Sequence, residues 1–259
     1  MSPFQTRFER LELKFLVDEV QAARVRDQLV PYCTADPHSQ AGQGYPIRSL
    51  YLDTPALAFH AAKERGDPDR VKLRVRTYSE TSPATLEVKR RHSDIIDKTR
   101  AVVGRDSVED AARGLPVPVR AQASEGFLQE FARVVSVSGA GPTLTVRYER
   151  EAYESVVDRY ARVTFDRHIE VQPSRDWSLR ADGDWCAFDD RWGNARPTAP
   201  VVLEIKCENR VPWWVTDLVR RNELVRTSFS KYSIGIALTQ LQAGRAIGRS
   251  RSLRALEAA

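Results

Sequence analysis

Three Glu-x-Lys pairs recur along the 259-residue chain: Glu12 with Lys14, Glu87 with Lys89, and Glu204 with Lys206. Of the 40 basic residues only seven are lysines (Lys14, Lys63, Lys72, Lys89, Lys98, Lys206 and Lys231), so each lysine position carries information. The pairs lie in segments where apolar and charged residues alternate, and on a strand residues i and i+2 point to one side. Arg10, Glu12 and Lys14 thus oppose Leu11, Leu13 and Phe15, while Glu204 and Lys206 oppose Leu203, Ile205 and Cys207. Glu87, Lys89 and Arg91 oppose Leu86 and Val88, and Arg162, Thr164 and Asp166 oppose Val163, Phe165 and Arg167. Arg70, Lys72, Arg74 and Arg76 form an unbroken cationic row against Val71, Leu73 and Val75. Like charges side by side on a sheet destabilise it unless anions lie between them. Such a face suits a polyanion, with Arg giving a bidentate fork and Lys a compact point charge. Its sparse carboxylates suit a hard divalent cation, Mg²⁺ or Mn²⁺, that bridges phosphates.

The elements that must position these residues follow from the same periodicity. Alternation predicts strands over 9–17, 46–53, 70–78, 84–91, 98–104, 143–153, 160–171, 184–189 and 200–207. Helical patterns fill 55–65, 119–135, 213–225 and 231–244, and a further helix opens at Asp18, a suitable N-cap directly after the first strand. Alternation alone also describes an ordinary antiparallel sheet with one solvated face. If the strands instead close into a barrel, the charged faces line a polar tunnel and the helices cover the apolar exterior. Strand chemistry is alike on both sides of the loops at 114–119, 138–142 and 194–200, which predicts one domain over 1–245 followed by a tail, 246–259.

Composition bounds the function. At 42% hydrophobic and 29% charged residues, the chain has enough apolar content for a packed core. It lacks the run of about 18 to 20 apolar residues that would cross a bilayer, and its start, MSPFQTRFERLELKF, has no signal-peptide core. A cytoplasmic protein with no membrane segment is expected; any separate membrane partner is unspecified. Cys33, Cys186 and Cys207 lack disulfide or zinc spacing, and His38, His60, His92 and His168 form no motif. GxxxxGK[ST] is absent. The net charge of +5 permits nucleic-acid binding, but no helix-turn-helix or aromatic RNA-binding strand accompanies it, so none is expected. Trp213 and Trp214 read as helix packing anchors.

The ordered motifs ELKF (12–15), KLRVRTY (72–78), LEVKRR (86–91), Tyr148-x-Arg150, ARVTFDRHI (161–169), LEIKC (203–207) and SFSKYSIGI (228–236) resemble the VTC domain of polyphosphate polymerases. That domain belongs to the triphosphate tunnel metalloenzymes, and the similarity runs from about residue 7 to 240. The resemblance implies an α+β fold built on a closed antiparallel barrel of about eight strands. It also implies transfer of the terminal phosphoryl group of ATP to a growing polyphosphate chain, with Mn²⁺ or Mg²⁺, and with ATP, pyrophosphate, tripolyphosphate and polyphosphate as ligands. A triphosphate hydrolase and a non-catalytic polyphosphate-binding module are the alternatives. Carried over by position, the resemblance makes Lys14, Arg74, Arg76, Lys89, Arg150, Arg162 and Lys231 catalytic. Arg48, Lys72, Lys98, Tyr148, Lys206 and Ser230 become substrate-binding, and Glu204, with Glu87 and Glu12, metal-binding. Hydrolytic relatives open with Glu-x-Glu-x-Lys, whereas this chain has Arg10, Glu12 and Lys14, one carboxylate fewer. That departure favours holding a long phosphate chain.

Overall fold

The computed structural model describes residues 10–39, 43–93, 95–119, 123–158, 160–180, 182–188, 200–208 and 210–242. The tail at 246–259 lies outside them. The strands are β1 (Arg10–Val17), β2 (Cys33–Ala35), β3 (Tyr45–Asp53), β4 (Asp69–Thr77), β5 (Ala84–His92), β6 (Ile95–Val103), β7 (Gly141–Ser155), β8 (Ala161–Pro173), β9 (Cys186–Ala187) and β10 (Val201–Glu208). The helices are α1 (Glu19–Leu29), α2 (Ala58–Arg65), α3 (Val108–Ala112), α4 (Ala123–Ser138), α5 (Trp213–Arg221) and α6 (Lys231–Gln242). Asp18 caps α1 as expected: it accepts from Gln21 N at 2.7 Å while Gln21 reaches back to its backbone. Short β2 and α3 have no periodic signal long enough to announce them.

One antiparallel sheet runs β1-β10-β8-β7-β3-β4-β5-β6, with β2 added to β7 and β9 to β8. Closure of this sheet into a barrel by hydrogen bonds is not seen among the described residues. Among the described residues β6 and β1 share no ladder, and the sheet curls until only side chains meet, Lys89 Nζ reaching Glu12 Oε2 at 3.8 Å. Register shifts in β7 against β3, between Tyr51 and Leu52, and against β8, between Arg147 and Glu149, add twist to the longest strands.

Apolar faces point outward onto helices. Phe165, Leu203 and Ile205 pack under α1 and α5 with Val25, Leu29, Trp214 and Leu218. Leu73, Leu86 and Val103 pack under α3 and α4 with Val108 and Phe131. Burying such side chains contributes roughly 1.5–3 kcal/mol each. Trp214 anchors α5 as expected, stacked on Tyr32 at 5.3 Å. Trp213, at the first turn of α5, meets Tyr32 edge-on at 5.6 Å but remains 69% exposed.

α6 lies instead over the inner face, where Tyr232, Ile234 and Ile236 pack with Ile47, Tyr51, Leu144 and Val171. Its approach requires Gly235, where a Cβ would stand 2.5 Å from Leu144 Cδ2 and 2.9 Å from Val171 Cγ1. This contact sets Lys231, the first residue of α6, against the charged surface.

Candidate functional site

The inner face is one continuous polar surface, and its register fixes who meets whom. On β1, β10 and β8, Lys14 lies beside Glu204 and Thr164, and Glu12 beside Lys206 and Arg162. Lys14 Nζ is 2.7 Å from Glu12 Oε1 and donates to the Phe229 carbonyl at 3.1 Å, while Lys206 Nζ is 2.5 Å from Glu204 Oε1. Burial opposes ionisation of Glu204, yet Lys206 and Lys14 hold its carboxyl well below the ordinary range. Glu12 is also lowered: burial and the Glu204 charge push it up, and Lys14, Lys206 and Lys89 outweigh them. Lys14 in turn is raised, the two glutamates overcoming its burial.

Next along the sheet, Arg150 forks onto Asp166 through Nε at 2.7 Å and Nη2 at 2.8 Å, and Lys231 reaches the same carboxylate at 2.6 Å. Asp166 is fully buried; burial alone would raise its pKa, but Arg150 and Lys231 bring it to about 2. Lys231 also lies 4.7 Å above the Tyr148 ring, a cation–π contact.

Across β3 to β6 the balance changes. Arg74, Lys98 and Arg100 converge on Glu87, Lys98 at 2.6 Å and Arg100 at 3.0 Å. Arg74 and its neighbours outweigh burial and hold the Glu87 carboxyl well below normal. Arg76, 7% exposed, donates from Nε to Ser49 Oγ at 3.1 Å and from Nη2 to Tyr148 Oη at 3.3 Å, so its side-chain hydrogen-bond partners among the described residues are hydroxyls. Lys72 lies 4.8 Å over the Tyr51 ring. Lys72, Lys89 and Lys98 occupy directly opposed positions on three adjacent strands. Burial lowers Lys72 to about 8, and burial with the Arg74 charge lowers Lys98 to about 7. A row of cations that the fold itself pushes toward neutrality is a surface waiting for anionic charge.

Most of the residues singled out from sequence come together here: Lys14, Lys72, Arg74, Arg76, Lys89, Lys98, Tyr148, Arg150, Lys206 and Lys231, with Glu12, Glu87 and Glu204. Arg162 shares their face, but its guanidinium is held by Asp36, by Glu154 at 3.1 Å and by Tyr45 Oη at 3.3 Å. Arg48 is a correction. It alternates out of phase with Ser49 and Tyr51 and lies on the opposite face, bound to Glu80 at 2.5 Å and to the Leu179 carbonyl. Ser230 Oγ accepts from Ser233 N at 3.4 Å and so caps α6. Sequence reasoning missed Asp166, Ser49 and Tyr51 as site residues; the alternation of 162, 164 and 166 put Asp166 on a charged face, whereas nothing in 46–53 marked which side of that strand faces in.

The metal expectation narrows. No three Asp, Glu, His or Cys side chains gather into a metal-binding group among the described residues. Glu87 is taken up by Arg74, Lys98 and Arg100, so it does not join the other two. Glu12 and Glu204 do act on each other, a repulsion between carboxylates that a divalent cation relieves. Mg²⁺ is commonly held by one or two carboxylates plus substrate phosphates, so this donor pair fits such an ion.

A family model described as the VTC domain matches residues 9–240. No curated protein matches the chain. Among solved structures, the PH1819 protein from Pyrococcus horikoshii OT3 is similar at 10% identity and a TM-score of 0.45, covering 90% of this chain and 99% of that one. A candidate adenylate cyclase from Vibrio parahaemolyticus is similar at 12% identity and a TM-score of 0.44, covering 87% and 97%. No described helix is long and apolar enough to cross a membrane.

Proposed function

Because the chain belongs to the VTC domain family, we propose that it is a metal-dependent polyphosphate polymerase that transfers the terminal phosphoryl group of ATP to a growing polyphosphate chain. The observation that carries this reading is the excess of cations on β3 to β6. Lys72, Lys89 and Lys98 stand side by side, and buried Arg76 has only hydroxyl hydrogen-bond partners among the described residues.

Phosphoryl transfer asks for alignment and charge stabilisation more than for covalent chemistry. Glu204 and Glu12 would hold Mn²⁺ or Mg²⁺, which supplies neutralising charge to the triphosphate oxygens. Arg74 and Arg76 fork onto phosphate oxygens, with Lys72, Lys89 and Lys98 continuing the same row. Arg150 and Lys231, pinned by Asp166, present cations in fixed positions and cost little reorganisation on binding. The acceptor, a terminal phosphate oxygen, is already ionised near neutral pH and requires no dedicated base.

The test is incubation with ATP and Mn²⁺ or Mg²⁺, with products resolved on a polyphosphate gel and free phosphate assayed in parallel. A metal-dependent ladder of long chains supports the polymerase. Phosphate release without a ladder would make it a hydrolase, and tight tripolyphosphate binding with neither product a binding module.

A further inference from the structure

Tyr51 has no part in the reaction as proposed, yet it sits in the floor of the charged surface. It is 2% exposed, on the same face of β3 as Ser49. Lys72 covers its ring at 4.8 Å, and Tyr232 of α6 stacks on it at 5.1 Å with 29° between the rings. Its neighbour across the ladder is Arg74. The charged and titratable groups that act on it come from each packed element: Lys72, Arg74 and Arg76 from β4, Lys14 from β1 and Tyr232 from α6. Tyr148 of β7 shares its influence on Arg74, and Lys72 itself is faced by Lys89 of β5, its cross-strand partner, and by Lys14 of β1. The Tyr232 hydroxyl is committed to Asp53 at 2.6 Å and the Tyr148 hydroxyl accepts from Arg76 at 3.3 Å, whereas Tyr51 lies under the Lys72 ammonium and beside Arg74.

We propose that Tyr51 and Lys72 form a proton-exchanging pair that holds a single proton in the free protein and takes up a second as a phosphate chain enters. This rests on the reading of the inner face as a polyphosphate site. In the free protein either a phenolate beside an ammonium or a phenol beside a neutral amine satisfies the surrounding cations. Both microstates carry the same total charge. When phosphate oxygens neutralise Arg74, Arg76 and Lys14, nothing favours the phenolate and the chain favours the ammonium. The bound state is therefore phenol plus ammonium, one proton richer, the proton coming from solvent. The electrostatics agree: burial would raise the Tyr51 hydroxyl, but Lys72, Arg74 and Arg76 bring it down to about 7, and burial brings Lys72 to about 8. The two titrate as a unit.

The experiment is calorimetric titration of the whole chain with tripolyphosphate in two buffers of different ionisation heat, alongside ultraviolet tyrosinate absorbance. The native protein is compared with the double variant Tyr51→Phe, Lys72→Met, which keeps the ring and its stack on Tyr232 but leaves the pair no proton site. In Tyr51→Phe alone, Lys72 has lost the phenol that favours its charge and takes up the same proton by itself. Proton changes of tripolyphosphate itself are common to both proteins and cancel. The expected difference is about one proton more taken up by the native protein near neutral pH, with affinity weakening by up to roughly tenfold per pH unit above that range. Equal uptake by both proteins overturns the pair while leaving the polyphosphate site standing. Absence of tripolyphosphate binding by the native protein overturns both. A near-neutral tyrosinate signal that the double variant removes and tripolyphosphate suppresses supports it.

Discussion

The two halves of the inner face solve opposite problems with the same residue types. On β1, β10, β8 and β7, carboxylates and cations interlock: Glu12 with Lys14, Glu204 with Lys206, and Asp166 with both Arg150 and Lys231. On β3 to β6, Glu87 alone serves Arg74, Lys98 and Arg100 and also feels the Arg76 charge, while Lys72 and Arg76 make no ion-pair contact with a carboxylate among the described residues. The first half can hold a cation between two of its carboxylates. The second needs an anion brought from outside. A molecule that carries both, a metal-bound phosphate chain, is complementary to the whole face and to neither half alone.

The sharpest break of this contrast is Glu204→Gln, which removes charge from the balanced half. Metal-dependent turnover should fall to background while circular dichroism stays native; full activity in this variant would exclude Glu204 from the mechanism. Arg76→Ala tests the other half. Losing a buried guanidinium aimed at phosphate should cost roughly 2–4 kcal/mol of transition-state stabilisation, about 10²–10³ in kcat, by the measure of a lost oxyanion donor. A drop below tenfold would assign Arg76 to packing.

Asp166→Asn separates stability from chemistry. The Asp166 pKa, lowered from 3.8 to about 2, marks a contribution to stability of about 2 kcal/mol. Since the folded value lies below the unfolded one, that contribution is fully present above the unfolded pKa and is lost as pH falls toward about 2. The variant should melt lower at neutral pH, with the gap to the native protein narrowing in acid. An unchanged gap at both pH values would show that Arg150 and Lys231 do not depend on Asp166.

Smallest of all is Arg48→Ala. The Arg48 side chain is 10% exposed beside a 68% exposed Glu80 and also donates to the Leu179 carbonyl, which Arg105 serves as well, so its loss should cost about 1 kcal/mol of stability and leave tripolyphosphate binding unaltered. Weakened binding would return Arg48 to the site.

What the sequence conveyed, and what it did not, follows from the length scale of each signal. Period-two alternation exposed the charged faces of β1, β4, β5, β8 and β10, because each holds its phase over several residues. The phase of β3 was lost: YPIRSLYLD mixes Arg48 with Ser49 and Tyr51, and only cross-strand partners, Arg76 for Ser49 and Arg74 for Tyr51, settle which side faces in. Asp166 was seen as part of a charged strand, but its role as the shared anchor of Arg150 and Lys231 depends on α6, 65 residues away in the chain from Asp166 to Lys231. That β6 and β1 share no ladder among the described residues concerns the two edge strands together, and alternation within a strand says nothing about which strand lies beside it.

Those two edges have a further consequence for self-association. An unpaired strand is a template for another copy of the chain, and charges along it are a common deterrent. Lys98 and Arg100 on β6, and Glu12 and Lys14 on β1, carry charge at both margins of the split sheet. The β1 margin is already partly occupied, Thr227 N donating to the Lys14 carbonyl at 2.8 Å beside an antiparallel bridge from Phe15 to Arg226. These charges therefore guard the lengths of the β1 and β6 margins that no described strand pairs, and the proposed phosphate face and resistance to strand addition draw on the same side chains.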